Sequence, residues 1–498
     1  GAILVGKTNL DQFATGLVGT RSPFGEVRNP FDPAYVSGGS SSGSAVAVAL
    51  GLASFALGTD TAGSGRVPAA FNNIVGLKPT RGLVSARGVV PACRSLDCVS
   101  VFALTADDAQ AVLEVLDAFD AQDAYARRDR APRAAPPGPP RIGVPRPAQL
   151  DFFGDGDAQS LFAAAAARIE ALGGVAVPVD LAPFLETAEL LYDGPWIAER
   201  YAAIRPLLER RPEALLPVIR GVVGQATRYG AVDTFEALYR LAGLRRATEP
   251  VWDAIDALLL PTTGTIYTRA ELASDPVGPN TNLGRYTNFV NLLDLAAIAL
   301  PAGFRDDGLP FGVTLVAPAG TDRWLCRIGA RWQQVTGLPL GATGDRAPPA
   351  TVEPRAAVHA GEIQIAVVGA HLAGQPLNHQ LTERAARFVR TCRTAPVYRL
   401  YALPGTQPPK PGLVRATPGA AIEVEVWALT AAHFGTFVAG IPGPLGIGAL
   451  ELEDGTRVQG FVCEGYAVAG ARDISSYGGW RAFLADPAAM QLRPEEQA

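Results

Sequence analysis

Two runs of small residues lie close together near the start of the chain, and they constrain the fold more than any other feature. Residues 37–44 read SGGSSSGS and residues 58–66 read GTDTAGSGR. The apolar segment between them predicts a helix over 44–52 and a strand over 54–57. Glycines permit the positive φ angles and close backbone approach by which a loop aims several amide N–H groups at one point. We therefore expect the helix and strand to return both runs to one pocket.

Serine chemistry in this region must proceed without histidine. The histidines all follow residue 350 and are His359, His371, His379 and His433. A Ser-His-Asp triad is thereby excluded for a serine in the first part of the chain, and lysine is the obvious alternative base. The lysines of the sequence are Lys7, Lys78 and Lys410.

Composition excludes several classes of partner. Only 18% of the 498 residues are charged and the formal net charge is -5, which is not the footprint of a nucleic-acid-binding protein. The longest apolar run, 45–57, is shorter than the roughly 20 residues needed to cross a bilayer. The 5 cysteines lack metal-site spacing, and their odd number favours a reducing compartment. We expect no nucleic-acid partner, no membrane span and a cytoplasmic location.

The chain is long enough for two or three domains. Over residues 1–345, apolar strands alternate with Gly-rich turns and helical stretches, which predicts an α/β domain whose first strand is a buried one at 3–5. Residues 346–360 are rich in Pro, Ala and Gly and predict a linker. Alternating short strands then predict a β-rich domain over 361–486, followed by a tail at 487–498.

The two small-residue runs, together with residues 76–82 (GLKPTRG), form a long ordered pattern that resembles the amidase signature family. The resemblance implies a central mixed sheet covered by helices and a Ser, cis-Ser, Lys triad without metal or organic cofactor. By position in the motif, Ser64 is the implied nucleophile. Ser40 is the implied proton bridge, following a cis bond from Gly39. The oxyanion hole would be formed by the backbone amides of Thr61, Ala62, Gly63 and Ser64.

The general base is the part of this triad that the sequence does not provide. In the family the lysine lies dozens of residues before the first serine run, a position that would precede Gly1. Lys7 and Lys78 match other family segments, so neither is expected to act as the base. The opening residues also suggest a buried strand that begins without a preceding turn or loop. We therefore expect an N-terminal piece to be missing.

Residues 192–200 (YDGPWIAER) resemble the segment by which allophanate hydrolases, members of this family, bind their substrate. The spacing of Tyr192 and Arg200 would place them roughly on one face of a helix. Arg200 would hold the substrate carboxylate as a bidentate fork, and Tyr192 would add a hydrogen bond. The resemblance extends along nearly the whole chain, through residues 16–25, 29–37 and 287–294.

The resemblance also implies a reaction. Ser64 would attack the terminal carbamoyl carbon of allophanate, ammonia would leave, and water would release N-carboxycarbamate, which loses carbon dioxide. Ammonia and carbon dioxide are the overall products, as in urea degradation and nitrogen metabolism. The implied partner is therefore a small-molecule substrate, and the implied assembly is a homodimer.

Residues 366–381 (AVVGAHLAGQPLNHQL) resemble the start of the C-terminal domain of allophanate hydrolases, which is related in fold to γ-glutamyl cyclotransferases. In some members this domain accelerates decarboxylation of the first product, with a histidine at the Asn-His-Gln position. His379 occupies that position and is the candidate. A local packing role for His379 and an assembly role for the domain stay open.

Two other functions stay open. Another amidase-signature enzyme, either a small-amide hydrolase or one component of a tRNA-linked amidotransferase, would keep the serine pair and change the pocket. The segment at 192–200 argues against both of these enzymes. An inactive, truncated binding protein would fit the absence of the triad lysine.

Overall fold

The structure is a computed structural model that describes residues 2–130, 132–133, 136, 138–346 and 362–486. The chain divides into two compact units, Gly1–Pro349 and Ala350–Ala498. All but the first residue of the predicted linker at 346–360, and the whole predicted tail at 487–498, lie outside the described residues.

An eight-stranded mixed sheet forms the centre of the first unit. Its strands are β1 (Phe55–Asp60), β2 (Val75–Lys78), β3 (Cys98–Ala103), β4 (Arg141–Pro145), β5 (Val175–Val179), β6 (Ala257–Pro261), β7 (Leu295–Phe304) and β8 (Pro310–Pro318). They lie in the order β1-β3-β2-β7-β8-β6-β4-β5. Strand β4 is parallel to β5 and β6, and the other neighbours are antiparallel. The predicted central mixed sheet is confirmed.

Helices cover both faces of this sheet. They are α1 (Ser42–Ala49), α2 (Val67–Phe71), α3 (Ala106–Leu116), α4 (Gly156–Ala167), α5 (Ala182–Glu189), α6 (Ile197–Arg210), α7 (Pro217–Gly224), α8 (Ala231–Ala254), α9 (Arg269–Ser274), α10 (Gly278–Leu283), α11 (Phe289–Leu292) and α12 (Asp322–Thr336). Strands β2, β3 and β6 are buried along their whole length, as expected for apolar strands covered on both faces.

Alternate side chains of the central strands pack into two cores. In β6, Leu258 and Leu260 belong to one core together with residues of α5, α8 and α11, whereas Leu259 belongs to the other with residues of α3, α4 and α12. This division follows from the pleat, which points successive side chains to opposite faces. The first of these cores also contains Ala62 and Trp196. The loop after β1 and the start of α6 therefore lie on the same face of the sheet.

Two local predictions for the first unit are wrong. Residues 3–5 form no strand with the described part of the chain, and Ile3 and Leu4 are 88% and 90% exposed. Residues 192–200 do not form one helix, because α5 ends before them and α6 begins only after Gly194 and Pro195. A residue before proline is driven out of the helical region, which explains the break.

The second unit is rich in strands, as predicted. Its strands are β9 (Glu362–Val367), β10 (Arg387–Arg393), β11 (Tyr398–Ala402), β12 (Pro411–Arg415), β13 (Glu423–Thr430), β14 (Leu445–Glu451), β15 (Arg457–Cys463) and β16 (Arg472–Asp473). They form a sheet of order β10-β13-β9-β15-β14 and a smaller sheet of order β12-β11-β16. The helices are α13 (His379–Thr382), α14 (Ala431–Ala439) and α15 (Trp480–Leu484). Within the described ranges, no helix combines the length and apolar character that crossing a bilayer requires.

Candidate active site

The two small-residue runs lie against each other. The Ser41 hydroxyl donates to the Thr59 carbonyl at 3.2 Å and accepts from the Thr59 amide at 3.1 Å. A side-chain carbon at Gly58 would lie 2.6 Å from Ser41 Cβ, and one at Gly38 would lie 2.7 Å from Pro68 Cα. Both distances are too short for a Cβ atom, so glycine at these two positions allows the loops to meet.

Ser40 follows a cis peptide bond from Gly39, which confirms the predicted isomer. The Ser40 side chain is fully buried, and its Oγ atom has no hydrogen-bond partner among the described residues. Ser64 is also buried, with 2% of its surface exposed. Both hydroxyls thus lie in an interior where their proton exchange is shielded from bulk water, although no hydrogen bond joins them within the described ranges.

None of the lysines in the described chain hydrogen-bonds either serine. Lys78 is fully buried, but its Nζ donates to the Pro79 carbonyl at 2.9 Å and lies 3.6 Å from Cys98 Sγ. Lys7 lies in an exposed segment without secondary structure. Neither lysine therefore occupies the position of a base for Ser40.

Asp60 fixes the shape of the loop that carries Ser64. Its carboxylate accepts from the Gly63 amide at 2.9 Å, the Gly65 amide at 3.0 Å and Arg66 Nε at 2.8 Å. The side chains of Asp60 and Arg66 are both 0% exposed. Burial favours the neutral acid, but the charge and hydrogen bonds of Arg66, the charge of Lys78 and the Gly65 amide together outweigh it, so the pKa of Asp60 is lowered. An ionised carboxylate therefore holds this loop together.

The backbone amides predicted for the oxyanion hole differ in their partners. The Gly63 amide already donates to Asp60. The amides of Thr61 and Ala62 have no acceptor among the described residues. The Ala62 carbonyl accepts from Thr287 Oγ1 at 2.6 Å, which fixes the orientation of that part of the loop. Two adjacent amides without acceptors are an arrangement that can stabilise a developing oxyanion.

Tyr192 and Arg200 meet, although not on a shared helical face. Arg200 Nη2 lies 3.3 Å from the Tyr192 hydroxyl, and the guanidinium lies 5.5 Å from the centre of the tyrosine ring. Arg200 Nη1 donates to the Ala14 carbonyl and to Thr15 Oγ1, each at 3.2 Å. The residue is 3% exposed, and it forms no ion pair with any carboxylate of the described residues. The turn before α6, rather than a continuous helix, brings the two side chains together.

A turn immediately before β3 connects the Ser64 loop to the start of α6. Asp97 Oδ1 accepts from Thr61 Oγ1 at 2.5 Å. In the same turn, Ser95 donates its amide to Glu199 at 3.1 Å and its hydroxyl to the same carboxylate at 2.5 Å. Burial raises the pKa of Asp97, with the Thr61 hydrogen bond opposing that shift. Sequence motifs did not reveal Asp97, because its partner Thr61 lies 36 residues away.

A cavity of about 320 Å³ lies beside Tyr192. Its wall includes Arg21, Asn280, Arg285 and Asn288. Arg21 belongs to a segment of the family resemblance, yet nothing in its spacing indicated that the side chain would lie beside this cavity.

His371 lines a cavity of about 210 Å³ in the second unit, together with Gln380, Lys410 and Phe461. One ring nitrogen is hydrogen-bonded to Gln380 Oε1 at 3.0 Å, and the ring stacks on Phe461 with centres 5.0 Å apart. Burial lowers the pKa of His371, and the nearby charge of Lys410 adds to this shift against the Gln380 hydrogen bond. The His371, Gln380 and Lys410 side chains thus face one cavity.

His379 is placed differently from His371. Its side chain is exposed, and its Nδ1 atom is hydrogen-bonded to the Pro376 carbonyl at 2.9 Å. The residues lining the neighbouring cavity include Leu377 and Gln380 but not His379. The short helix α13 therefore points its first residue toward solvent.

Comparison with known proteins identifies the families that the two parts of the chain match. Residues 1–326 match the Amidase family, and residues 363–485 match the Allophanate hydrolase C-terminal domain. Urea amidolyase of Saccharomyces cerevisiae is 43% identical over 499 aligned residues, which cover 97% of this chain and 27% of that protein. The chain thus spans little more than a quarter of the length of this relative.

Solved structures give a similar result. Kluyveromyces lactis allophanate hydrolase matches with a TM-score of 0.75 at 42% identity, covering 97% of this chain and 81% of that one. The glutamyl-tRNA(Gln) amidotransferase structure from Thermotoga maritima matches with a TM-score of 0.59 at 28% identity, covering 70% of this chain and 77% of that one. The chain therefore belongs to the amidase family, and after its amidase unit it carries the C-terminal domain of allophanate hydrolases.

Proposed function

We propose that this chain hydrolyses allophanate with Ser64 as nucleophile, and the observation that carries the proposal is the buried guanidinium of Arg200. That side chain forms no ion pair with a carboxylate among the described residues. Burial lowers the pKa of Arg200, but neighbouring groups that include Asp97 and Glu199 outweigh burial and raise it. A buried ion costs several kcal/mol unless it is paired. A substrate carboxylate lying against Arg200 and Tyr192 would supply a direct ion pair. Allophanate carries such a carboxylate at one end and the scissile carbamoyl group at the other.

The relatives support this substrate over that of an amidotransferase. The matches to urea amidolyase and allophanate hydrolase cover 97% of the chain. The match to the glutamyl-tRNA(Gln) amidotransferase of Symbiobacterium thermophilum covers 68% of it. The match to the amidotransferase therefore leaves unaligned a part of this chain that the other two matches include.

The proposed reaction uses the loop geometry directly. Ser64 Oγ attacks the carbamoyl carbon, and the oxygen of that group accepts from the amides of Thr61 and Ala62. Ser40 relays the Ser64 proton to a base and returns it to the departing ammonia. Water then releases the acyl group from Ser64 as N-carboxycarbamate. The protein contributes orientation and fixed dipoles, which supply much of the rate enhancement in acyl transfer.

An amine beside Ser40 would complete the triad. The buried Ser40 Oγ, which has no partner in the described part of the chain, is where that amine would accept a proton. We propose that the amine belongs to the lysine that the amidase signature implies, and that neither Lys7 nor Lys78 is that lysine. Addition of small primary amines tests this step, because an amine that fits the space should raise turnover.

The carboxylate pocket is tested by comparing allophanate with biuret, in which a neutral amide replaces the carboxylate. Arg200→Gln should lower kcat/KM for allophanate by about a hundredfold or more, because the substrate loses its counter-ion. Arg205→Gln, on the exposed face of the same helix, is the matched control and should have no effect. Malonate binding by calorimetry gives a readout that needs no turnover. A wild-type chain that prefers biuret and does not bind malonate would contradict the proposal.

We further propose that the cavity around His371 binds N-carboxycarbamate and assists its decarboxylation. Loss of carbon dioxide from this dianion requires a proton at nitrogen, which Lys410 can donate, and which His371 can donate once it has itself been protonated. The exposed position of His379 makes it the weaker candidate. The test compares carbon dioxide release with ammonia release in His371→Gln and His379→Gln. Delayed carbon dioxide release in the first variant alone is the expected result, and identical time courses in both variants would favour a role in assembly.

The remaining predictions from the sequence complete this proposal. An amidase domain over 1–345 and a C-terminal domain over 361–486 can be tested by limited proteolysis between them. A homodimer and a cytoplasmic location are tested by analytical ultracentrifugation and by cell fractionation.

A further inference from the structure

A second buried guanidinium lies next to the one that carries the proposed function. Arg21 is 5% exposed. Its Nη1 donates to the Thr15 carbonyl at 3.1 Å, its Nη2 donates to the Pro276 carbonyl, and its Nε has no partner among the described residues. It forms no ion pair with a carboxylate in the described ranges. Within the described residues, the guanidinium therefore hydrogen-bonds only to carbonyl oxygens.

Thr15 connects this arginine to Arg200. The Thr15 carbonyl accepts from Arg21, while the Thr15 hydroxyl accepts from Arg200 Nη1 at 3.2 Å. Burial lowers the pKa of Arg21, and the charge of Arg200 adds to this shift while that of Asp11 opposes it. Two like charges therefore share one buried region, and an anion entering it would stabilise both.

Arg21 is also tied to the loop of Ser40. The Asp11 amide donates to the Ser40 carbonyl at 3.0 Å, and Asp11 Oδ1 accepts from the Arg21 amide at 2.9 Å. The Asp11 carboxyl is occupied by backbone amides of Val18, Gly19 and Arg21, and burial raises its pKa despite these bonds. Asp11 acts on the Arg21 guanidinium through its charge but forms no ion pair with it in the described ranges, because its oxygens accept from backbone amides.

The cavity beside Tyr192 gives a ligand access to Arg21, since Arg21 and Tyr192 form part of its wall, which also includes Glu189 and Asp193 but not Arg200. We propose that Arg21 is a specificity-determining residue of the carboxylate pocket, where its charge makes the site select a carboxylate over a neutral amide. This inference rests on the proposed allophanate hydrolysis. Arg200 provides the direct contact, and Arg21 adds a second positive charge that one substrate carboxylate neutralises only in part.

The test measures kcat/KM for allophanate and biuret in the wild type, Arg21→Gln and Arg21→Lys. Arg21→Gln should lower the allophanate-to-biuret ratio by about ten- to a hundredfold, mainly through KM for allophanate. Arg21→Lys keeps the charge and should retain most of the ratio. A merely structural arginine would instead lower turnover of both substrates equally in both variants, and that result would overturn the inference.

Two further measurements distinguish a failure of this inference from a failure of the proposed function. If the wild type hydrolyses neither substrate, binding of malonate and of its neutral counterpart malonamide is measured in the same variants. Weaker malonate binding in Arg21→Gln, with malonamide binding unchanged, supports Arg21, and equal malonate binding in wild type and variant overturns it. If Arg21→Gln does not fold, Arg21→Lys decides alone, because a folded lysine variant that loses all preference for the carboxylate contradicts a role based on charge.

Discussion

The two units surround their polar groups in different ways. In the first unit, the Asp60 and Arg66 side chains are 0% exposed and Arg200 is 3% exposed, so these charges are largely removed from bulk water. In the second unit, His371 and Lys410 line a cavity and are only partly covered. Electrostatic interactions are stronger where water is excluded. Single substitutions should therefore have large effects in the first site and small ones in the second.

The largest effect is expected from Asp60→Asn, which removes one partner of the fully buried ion pair between Asp60 and Arg66. Removing one partner of a buried ion pair leaves the other charge uncompensated and costs about 3–5 kcal/mol. Urea unfolding of the first unit measures this loss. The control is Glu209→Gln, whose pair with Arg205 is 50% and 65% exposed and should contribute less than about 1 kcal/mol. Equal losses in both variants would remove the contrast between buried and exposed charges.

The next effect concerns the contact between the two serine loops. Gly58→Ala would place Cβ 2.6 Å from Ser41 Cβ and 2.8 Å from Phe102 Cε2, and overpacking of this kind costs about 1–3 kcal/mol. Gly221→Ala is the matched control, since an added Cβ in helix α7 meets nothing within 4 Å. That control should be neutral or stabilising by up to about 1 kcal/mol. The thermal midpoints of the two variants check the prediction, which fails if Gly58→Ala is tolerated as well as Gly221→Ala.

A double-mutant cycle of Asp97→Asn and Thr61→Val sharpens the comparison within the first site. Because Asp97 fixes the Thr61 side chain at 2.5 Å, each single substitution should lower kcat, and the pair should cost less than the sum. A coupling energy of about 1–3 kcal/mol is expected for a buried hydrogen bond to a charged group. Steady-state kinetics on the four proteins give this value. Strictly additive effects would show that Asp97 does not act through Thr61.

The smallest effect is expected in the second unit and depends on pH. Because burial lowers the pKa of His371 from 6.5, the unfolded chain takes up a proton that the folded unit resists. The stability of this unit should be fully present above about pH 6.5 and should fall as the pH drops toward the lower folded-state pKa. Hydrogen exchange in β9, corrected for intrinsic rates, measures this loss. His371→Gln should abolish it and the exposed His379→Gln should not, so the same pH dependence in both variants would exclude His371 as its source.

Local sequence signals predicted the serine loops because closely spaced glycine-rich runs supply the positive φ angles and close backbone approach that such loops require. The cis bond at Ser40 and the mixed sheet were predicted from the resemblance to the amidase signature family. Asp97 and Arg21 could not be predicted in this way. Their importance depends on tertiary contacts with Thr61 and Thr15, and an isolated aspartate or arginine carries no pattern of its own.

One error and one untested prediction have a related cause. The spacing of Tyr192 and Arg200 suggested a helix, but the glycine and proline between them end it, and the side chains meet through a turn. The position of His379 matched a motif, whereas burial depends on which side of α13 faces the sheet. Motif position identifies residue types near a site, but the packing of the surrounding elements decides which side chain enters it.

The turn that carries Asp97 has a consequence for how substrate preference can change. The residues that would break the bond follow β1, whereas the arginine that would recognise the carboxylate lies on α6, more than a hundred positions later. A short turn bonded to both segments connects them, and Ala62 and Trp196 also pack into one core. Substitutions on α6 that leave Glu199 and Trp196 in place should therefore change which molecules are accepted without altering the contacts that hold the reactive loop.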